Sequence, residues 1–247
     1  MRPRIIASIE ARMGSSRFPG KVLTDICGAP ALTRLLRRLE RSKRLDGIIL
    51  ATSTNAADNV LEEWALSMNV ACFRGSEEDV LKRVIEAQQK MQSDIVVEVT
   101  GDCVLLDPKV IDLGINTFFE NDCDVVTNTC KPSFPMGIDV QVYPLRKLEE
   151  VARTVFDPTV REHVSSYFYR HPEKYRLIHL IAPPHLRASN YRFQLDYPED
   201  KEFITEVYRR LGPKYGDSFG VEEIMALIER EPALLEINRQ CVEKAVL

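Results

Sequence analysis

The chain has 247 residues, 45% of them hydrophobic, and a formal net charge of −4 at pH 7. A chain of this length can bury a substantial core, and its acidic balance argues against a protein that binds DNA or RNA. The six cysteines are scattered without a Cys-x-x-Cys pair, and no apolar run approaches the length of a membrane span. We therefore expect a soluble cytoplasmic protein with neither a nucleic acid nor a membrane as its partner.

Short apolar runs alternate with amphipathic helical patterns along the first half of the chain. The runs that predict buried strands lie at 5–9, 48–51, 70–73, 95–99 and 125–126. The segments with apolar residues at helical spacing lie at 32–39, 60–68 and 80–85. This alternation predicts an α/β fold with a Rossmann-like, mostly parallel, doubly wound sheet.

Helix-start signals and a change of rhythm mark the rest of the chain. Ser76 and Asp79 have the spacing of a capping box, and Asp107 before a proline predicts the N-cap of a further helix. From about 131 to 182 the alternation loosens, and the apolar runs in this segment predict strands at 139–143 and 177–181. We interpret this segment as a subsidiary lobe within a single domain that covers 1–247.

The loop after the first predicted strand, residues 11–21, combines glycine, serine and basic side chains. In open α/β sheets, ligands bind beyond the carboxyl ends of the strands. Glycines let backbone N–H groups approach phosphate oxygens, hydroxyl groups add donors, and basic side chains neutralise a transferring phosphoryl group. The residues that we expect to bind a nucleoside triphosphate here are Ala11, Arg12, Gly14, Ser15, Ser16, Arg17 and Lys21.

This loop differs from the Walker A motif, in which four residues precede Gly-Lys and Ser or Thr follows it. Five residues lie between Gly14 and Gly20, and Val22 follows Lys21. We expect residues 22–27 to be extended, which disfavours a kinase or a P-loop ATPase. The alternative interpretation of the loop is a solvated basic segment closed by a turn.

The segment 11–23, Ala-Arg-Met-Gly-Ser-Ser-Arg-Phe-Pro-Gly-Lys-Val-Leu, resembles the opening motif of the cytidylyltransferases of spore coat polysaccharide biosynthesis. It is also similar to the CMP-Kdo and CMP-sialic acid synthetases. The resemblance continues in order through Ala-Thr-Ser-Thr-Asn (51–55), Phe-Arg-Gly-Ser-Glu-Glu-Asp-Val-Leu (73–81), Thr-Gly-Asp-Cys (100–103), Arg-Glu-His-Val (161–164) and Asp-Tyr-Pro-Glu-Asp (196–200). It implies a fold of the nucleotide-diphospho-sugar transferase type, Mg²⁺, and attack of an acceptor on the α-phosphate with loss of pyrophosphate.

Two aspartates are candidates for the Mg²⁺ site, because this ion is usually held by one or two carboxylates together with phosphate oxygens and water. Asp102 follows the predicted strand at 95–99, and Gly101 before it indicates a close approach of the backbone to a ligand. Asp196 matches the second metal-binding aspartate that the resemblance implies. The alternative for Asp196, which ends the extended stretch 191–195, is the N-cap of the next helix.

The base pocket is predicted at the ends of three strands. Cytosine presents an amino group that can donate to a carboxylate. The candidate residues are Thr52, Ser53, Ser76, Glu77, Glu78, Asp79, Thr100 and Gly101. The alternative for the acidic residues is that they only complement the positive N-terminus of the following helix. The CMP-Kdo synthetases place glutamine where Thr100 stands, so the chain departs from their pattern here.

The candidate acceptor residues lie in the predicted lobe, which we also expect to form a homodimer. Arg161 could bind a carboxylate or phosphonate through two parallel hydrogen bonds, and Glu162 and His163 could contact the acceptor, with His163 as a possible base. A surface salt bridge and an ordinary helical histidine are the alternatives. Asp139 is a candidate for binding the hydroxyl groups of the acceptor.

These patterns predict a Mg²⁺-dependent cytidylyltransferase that uses CTP and a small acidic acceptor, either a sugar acid or a phosphonate. Arg12 and Lys21 would neutralise charge at the α-phosphate and the departing pyrophosphate. A loop lysine is rarely part of a core, so we expect Lys21 to matter little for folding. The alternatives are a uridylyl- or adenylyltransferase acting on a sugar phosphate, a nucleotide-sugar-dependent glycosyltransferase, and a nucleotide-binding module without activity.

Overall fold

A computed structural model of the chain describes residues 2–242, in which seven strands form one sheet. The strands are β1 (Ile5–Glu10), β2 (Gly47–Ser53), β3 (Ala71–Gly75), β4 (Ile95–Thr100), β5 (Val125–Thr127), β6 (Gln141–Pro144) and β7 (Leu177–His179). Their order across the sheet is β3-β2-β1-β4-β6-β5-β7. Only β6 is antiparallel to its neighbours, β4 and β5. The prediction of a mostly parallel sheet is confirmed.

Helices cover both faces of the sheet. They are α1 (Ala31–Leu39), α2 (Asn59–Ser67), α3 (Val80–Lys90), α4 (Pro108–Glu120), α5 (Leu145–Thr154), α6 (Pro158–Glu162), α7 (Ser166–Arg170), α8 (Pro198–Tyr215) and α9 (Val221–Arg230). Within residues 2–242, no helix combines the length and the apolarity needed to cross a bilayer.

The residues of β1 alternate between two cores, because successive side chains of a strand point to opposite faces. Ile5 and Ile9 belong to the larger core, which also contains the buried faces of α1, α4, α8 and α9. Ile6 packs on the other side of the sheet, where Ala87 of α3 is its neighbour in a second core. A strand that is buried on both faces needs a continuous run of apolar residues, and this run allowed β1 to be predicted from the sequence.

The helix-start signals are confirmed in one case and wrong in the other. Asp107 caps α4, because its carboxylate accepts the N–H of Lys109 at 2.8 Å. The capping box predicted from Ser76 and Asp79 is wrong, since Asp79 is itself the N-cap of α3 and accepts the N–H of Lys82 at 3.0 Å. The hydroxyl of Ser76 accepts the N–H of Asp79 and shapes the loop before the helix.

Two segments predicted to be extended have other conformations. Residues 22–27 begin inside a single 3₁₀ turn, Lys21–Leu23, which leads the chain back towards α1. Residues 191–195 form no strand, and their link to the sheet region is an isolated parallel bridge between Met136 and Arg192. The carboxyl end of this stretch is therefore positioned by loop contacts rather than by a strand ladder.

The segment 131–182 contributes to the main sheet. The predicted strands at 139–143 and 177–181 correspond to the shorter β6 and β7. Because β6 lies between β4 and β5, this segment is built onto the sheet rather than set apart from it. Its helices α5, α6 and α7 contribute buried side chains to a third core, which they share with other residues of α3.

Candidate active site

A cleft of about 480 Å³ opens at the carboxyl ends of β1 and β4. Glu10 and Thr100 are paired residues of these strands, and both line the cleft. The N–H of Gly101 donates to the carbonyl oxygen of Glu10 at 2.8 Å. A Cβ atom at Gly101 would lie 2.9 Å from the Cβ of Ala11, so only glycine allows the two strand ends to approach this closely.

Lys21 joins the two predicted metal-binding aspartates. Its Nζ lies 2.7 Å from Oδ2 of Asp102 and 2.8 Å from Oδ1 of Asp196. Burial lowers the pKa of Lys21, but the two carboxylates outweigh burial and the pKa lies above its usual value. The side chain is only 12% exposed, so Lys21 belongs to a buried ion cluster, and the alternative interpretation of the loop as a solvated segment does not apply to it.

Asp196 is the most heavily paired member of this cluster. Arg17 Nη2 lies 2.6 Å from its Oδ1, and Arg192 Nη2 lies 2.7 Å from its Oδ2. Burial raises the pKa of Asp196, but Lys21 and Arg17 lower it below the usual value. The alternative that Asp196 is a helix cap is wrong, because Tyr197 occupies the N-cap position of α8.

A backbone hydrogen bond brings the two aspartates together although they are far apart in the sequence. The N–H of Leu195 donates to the carbonyl oxygen of Asp102 at 2.9 Å. The carboxylate of Asp102 is fixed in turn by the hydroxyl of Thr100, which donates to Oδ1 at 2.6 Å. The carboxylate of Asp200 accepts the N–H of Asp196 at 2.9 Å and holds the start of α8 in place. The two carboxylates are thus preorganised by the loops that follow β4 and precede α8.

The basic loop after β1 is folded by its own backbone. The N–H groups of Ser15 and Gly20 both donate to the carbonyl oxygen of Met13 at 3.0 Å. Gly20 has a φ of +71°, a conformation that favours glycine. The N–H of Met13 donates to Asp58 at 2.7 Å, and the same carboxylate accepts the hydroxyl of Ser53. Ser53 therefore stabilises the loop indirectly, through the carboxylate of Asp58.

Helices α3 and α6 provide the opposite wall of the cleft. The side chains that they contribute are Val80, Arg83, Thr159 and Glu162, and His163 follows them. Burial raises the pKa of Glu10 well above its usual value, and the charge of Glu98 raises it further. Burial lowers the pKa of Arg83. The cleft therefore contains two ionisable groups whose pKa values are shifted by burial, Glu10 at the end of β1 and Arg83 on α3.

A sequence profile of cytidylyltransferases matches residues 6–232, a range that includes the basic loop, both aspartates and the opposite wall. The chain belongs to the cytidylyltransferase family. Spore coat polysaccharide biosynthesis protein SpsF from Bacillus subtilis is 33% identical over 233 residues, which cover 92% of this chain and 95% of that protein.

Solved structures agree with this assignment. A cytidylyltransferase from Leptospira borgpetersenii has a TM-score of 0.87 at 28% identity, with 99% of each chain covered. A CMP:2-keto-3-deoxy-manno-octonic acid synthetase complexed with CTP has a TM-score of 0.62 at 15% identity, over 84% of this chain and 99% of that chain. The second match shows a shared fold only.

The cleft of this cytidylyltransferase collects most of the predicted phosphate and metal residues. The predicted residues that line it are Ala11, Arg12, Gly14, Ser15, Ser16, Arg17, Lys21, Thr100, Gly101, Asp102, Glu162, His163 and Asp196. Arg17 and Lys21 lie directly against the aspartates, an arrangement that suits a triphosphate and a metal ion.

The remaining predicted site residues do not line the cleft. They are Thr52, Ser53, Ser76, Glu77, Glu78, Asp79, Asp139 and Arg161. Thr52 is fully buried in β2, whereas Glu78 is exposed on the loop before α3. Asp139 is half-buried behind the cleft, with Oδ2 3.9 Å from the Sγ of Cys103.

Arg161, which the sequence predicts as an acceptor ligand, makes ion-pair and backbone contacts within the fold, as in the alternative interpretation of a salt bridge. Its Nε and Nη2 lie 2.9 and 2.7 Å from Oδ2 of Asp79. Its Nη1 donates to the carbonyl oxygens of Ala152 and Val155 at 3.2 and 2.9 Å. The guanidinium thus ties α5 and α6 to the N-cap of α3, and its donors are already in use.

The sequence patterns missed Glu10, Arg83 and Gln194, all of which line the cleft. A signal existed for Glu10, because it is the one charged residue of the apolar strand Ile5–Glu10. Arg83 and Gln194 carry no such signal. Their positions depend on how α3 and the loop before α8 pack against the sheet.

Proposed function

We propose that this cytidylyltransferase transfers CMP from CTP to a small acidic acceptor, a sugar acid or a phosphonate, in a Mg²⁺-dependent reaction that releases pyrophosphate. The observation that carries the proposal is the convergence of Asp102 and Asp196 beside a basic, glycine-containing loop. A similar structure complexed with CTP and a relative named for polysaccharide biosynthesis support the choice of substrates.

The donor set of the cleft fits Mg²⁺. This ion usually takes one or two carboxylates and completes its shell with phosphate oxygens and water. Asp102 and Asp196 both contact the Nζ of Lys21, so the point between them accommodates a positive charge. When bound, the metal would neutralise phosphate charge and polarise the α-phosphate.

The basic side chains of the loop would supply the remaining positive charge. Lys21 reaches the aspartates from the loop, and the same flexible side chain can donate to oxygens of the departing pyrophosphate. Arg12 lines the cleft next to the end of β1 and is proposed to contact the phosphate chain. Because the two aspartates and the backbone of the loop are in place before substrate binds, catalysis would rest mainly on positioning and electrostatic stabilisation.

The acceptor is proposed to bind between α6 and the loop before α8. Glu162 and His163 line the cleft on one side, and Gln194 lines it on the other. These side chains offer hydrogen bonds suited to the hydroxyl groups of a sugar. An acceptor that attacks through an ionised oxygen, such as a phosphonate, needs no protein base, whereas an attacking hydroxyl group would lose its proton to His163, the candidate base in the cleft.

We further infer a homodimer in the cytoplasm. Phe156, between α5 and α6, is 77% exposed, and a large exposed aromatic residue is often covered by a partner. All six cysteines are free, as expected in a reducing compartment. Light scattering should give the mass of a dimer, and Phe156→Ser should shift the protein towards the monomer. A monomeric wild-type protein would contradict this inference.

Pyrophosphate release tests the proposed reaction. The protein is mixed with Mg²⁺, each of the four ribonucleoside triphosphates in turn, and a panel of sugar acids and phosphonates. We expect pyrophosphate and a CMP-linked product only with CTP, and no product after chelation of the metal. Pyrophosphate formed from UTP or ATP with a sugar phosphate would overturn the cytidylyl assignment. Nucleotide released from a nucleotide sugar would indicate a glycosyltransferase instead.

A further inference from the structure

Two buried polar atoms in the cleft have no hydrogen-bond partner within residues 2–242. One is Oε1 of Glu10, an acceptor, and the other is Nε of Arg83, a donor. Both residues line the cleft. Buried polar groups without partners are rare in folded proteins and are costly to maintain, so this pair points to a ligand that supplies the missing hydrogen bonds.

The two residues meet on the α3 side of the sheet. Glu10 is the last residue of β1 and follows Ile6 and Ser8 on the face that α3 covers. Arg83 comes from α3, where its Nη1 donates to the carbonyl oxygen of Ser76 at 2.6 Å. This bond holds the guanidinium near the loop before α3, while Nε makes no hydrogen bond within the described residues.

The missing hydrogen bonds of Glu10 and Arg83 indicate which part of the substrate lies beside them. Phosphate oxygens and an ionised acceptor group bring only acceptors, so they offer no donor to Oε1 of Glu10. A nucleobase is uncharged, flat and rich in hydrogen-bonding groups. Val80 lines the same part of the wall and offers an apolar surface to a ring.

We propose that Glu10 accepts a hydrogen bond from the exocyclic amino group of cytosine, while Arg83 donates to the ring's acceptor edge at N3 or O2. Uracil has a carbonyl oxygen in place of the amino group, so it would face the oxygen of Glu10 without a proton between them. Glu10 is therefore a specificity-determining residue. This inference rests on the proposed use of CTP.

The pair replaces the candidates predicted from the sequence. Glu78 is exposed, and the carboxylate of Asp79 is engaged as the N-cap of α3 and by Arg161. A ligand that leaves the buried oxygen of Glu10 without a donor loses about 10- to 100-fold in affinity, so Glu10 is expected to account for a preference of that size. The exposed Glu78 supplies a matched control.

The test compares CTP with its analogue that carries hydrogen in place of the amino group, 2-pyrimidinone riboside triphosphate. Binding of each to the full chain is measured by calorimetry in the presence of Mg²⁺. Wild type and Glu78→Leu should bind the analogue about 10- to 100-fold more weakly than CTP. Glu10→Leu should bind the two ligands equally, and Glu10→Gln, which keeps a carbonyl acceptor, should restore most of the preference.

The possible failures are distinguishable. If wild type prefers CTP to UTP but binds CTP and the analogue equally, the amino group is not recognised and the role of Glu10 is overturned without any variant. If Glu10→Leu keeps the wild-type preference for CTP over the analogue, another residue recognises the amino group. If wild type binds UTP or a purine nucleotide better than CTP, the proposed function fails together with this inference.

Discussion

The Nζ of Lys21 lies 2.8 Å from Oδ1 of Asp196, and the same atom contacts Asp102. A divalent cation held by these two carboxylates would occupy the same position, so Lys21 and the metal compete for one site. Their competition would couple metal binding to the triphosphate, since phosphate oxygens give the displaced ammonium a new partner.

We therefore predict that Lys21→Met raises the affinity for Mn²⁺ measured by electron paramagnetic resonance without nucleotide. The same variant should lose a factor of about 10² or more in turnover, the scale expected when one preorganised donor to phosphate is removed. Lys82→Met is the control, because Lys82 is exposed and, among the salt bridges of residues 2–242, pairs with Glu86 on its own helix alone. Unchanged Mn²⁺ affinity in Lys21→Met would show that the metal binds elsewhere.

The two aspartates should differ in their contribution to stability. Asp196 is paired with Arg17, Lys21 and Arg192, whereas Asp102 has Lys21 as its one cation partner in the salt bridges of the described chain. Both Asp196→Asn and Asp102→Asn should abolish most turnover. In urea unfolding, Asp196→Asn should cost about 2 kcal/mol more than Asp102→Asn, because it leaves more buried charge uncompensated. Equal losses of stability would contradict this ranking.

The elements that the sequence predicts well are those with local signals. The apolar runs of β1 and β4 follow from burial on both faces, and the carboxyl ends of parallel strands necessarily share an edge. That rule alone places the basic loop beside Asp102. Asp196 needed the family resemblance, because a hydrogen bond from Leu195 rather than a strand ladder brings it to the cleft.

The features that the sequence did not predict are contacts between distant segments. The pairing of Arg161 with Asp79 joins two helices whose relative position no local pattern encodes. The insertion of β6 between β4 and β5 likewise depends on the whole sheet. Glu10 and Arg83 meet only because α3 packs on that face of β1. Each of these contacts depends on tertiary packing, and the periodicity of apolar residues in the sequence carries no information about it.

Close packing beside the proposed metal site gives a further prediction. A Cβ at Gly101 would lie 2.9 Å from the Cβ of Ala11 and 3.2 Å from the carbonyl oxygen of Glu10. Gly101→Ala should therefore push Asp102 away from Lys21 and lower kcat by about 10² through misplacement alone. Gly212→Ala in α8 is the control, because a Cβ there lies 3.9 Å from Cδ1 of Tyr208, an ordinary contact, and the residue does not line the cleft. Similar kcat values for both variants would show that this close approach is not needed.

The buried carboxyl of Glu98 predicts a pH dependence of stability. Tyr143 and Ser165 both donate hydrogen bonds to it, but burial dominates and raises its pKa from 4.5 to about 7. The folded state thus binds this proton more tightly than the unfolded state. The contribution of Glu98 to the free energy of unfolding is therefore largest below pH 4.5 and is lost as the pH rises through 7. The loss amounts to about 3 kcal/mol, the product of the shift and the free energy per pH unit.

Glu98→Gln removes this titration while keeping a carbonyl acceptor for Tyr143. We expect the midpoint of thermal unfolding of the variant to exceed that of the wild type by several degrees at pH 8, because about 3 kcal/mol corresponds to such a shift in a chain of this size. The difference should shrink steadily towards pH 5, where Glu98 is protonated in the folded protein. Glu202→Gln, at an exposed position of α8, should follow the wild-type profile throughout. A difference between Glu98→Gln and wild type that stays constant from pH 5 to 8 would mean that Glu98 is ionised in the folded state and that its hydrogen bonds outweigh its burial.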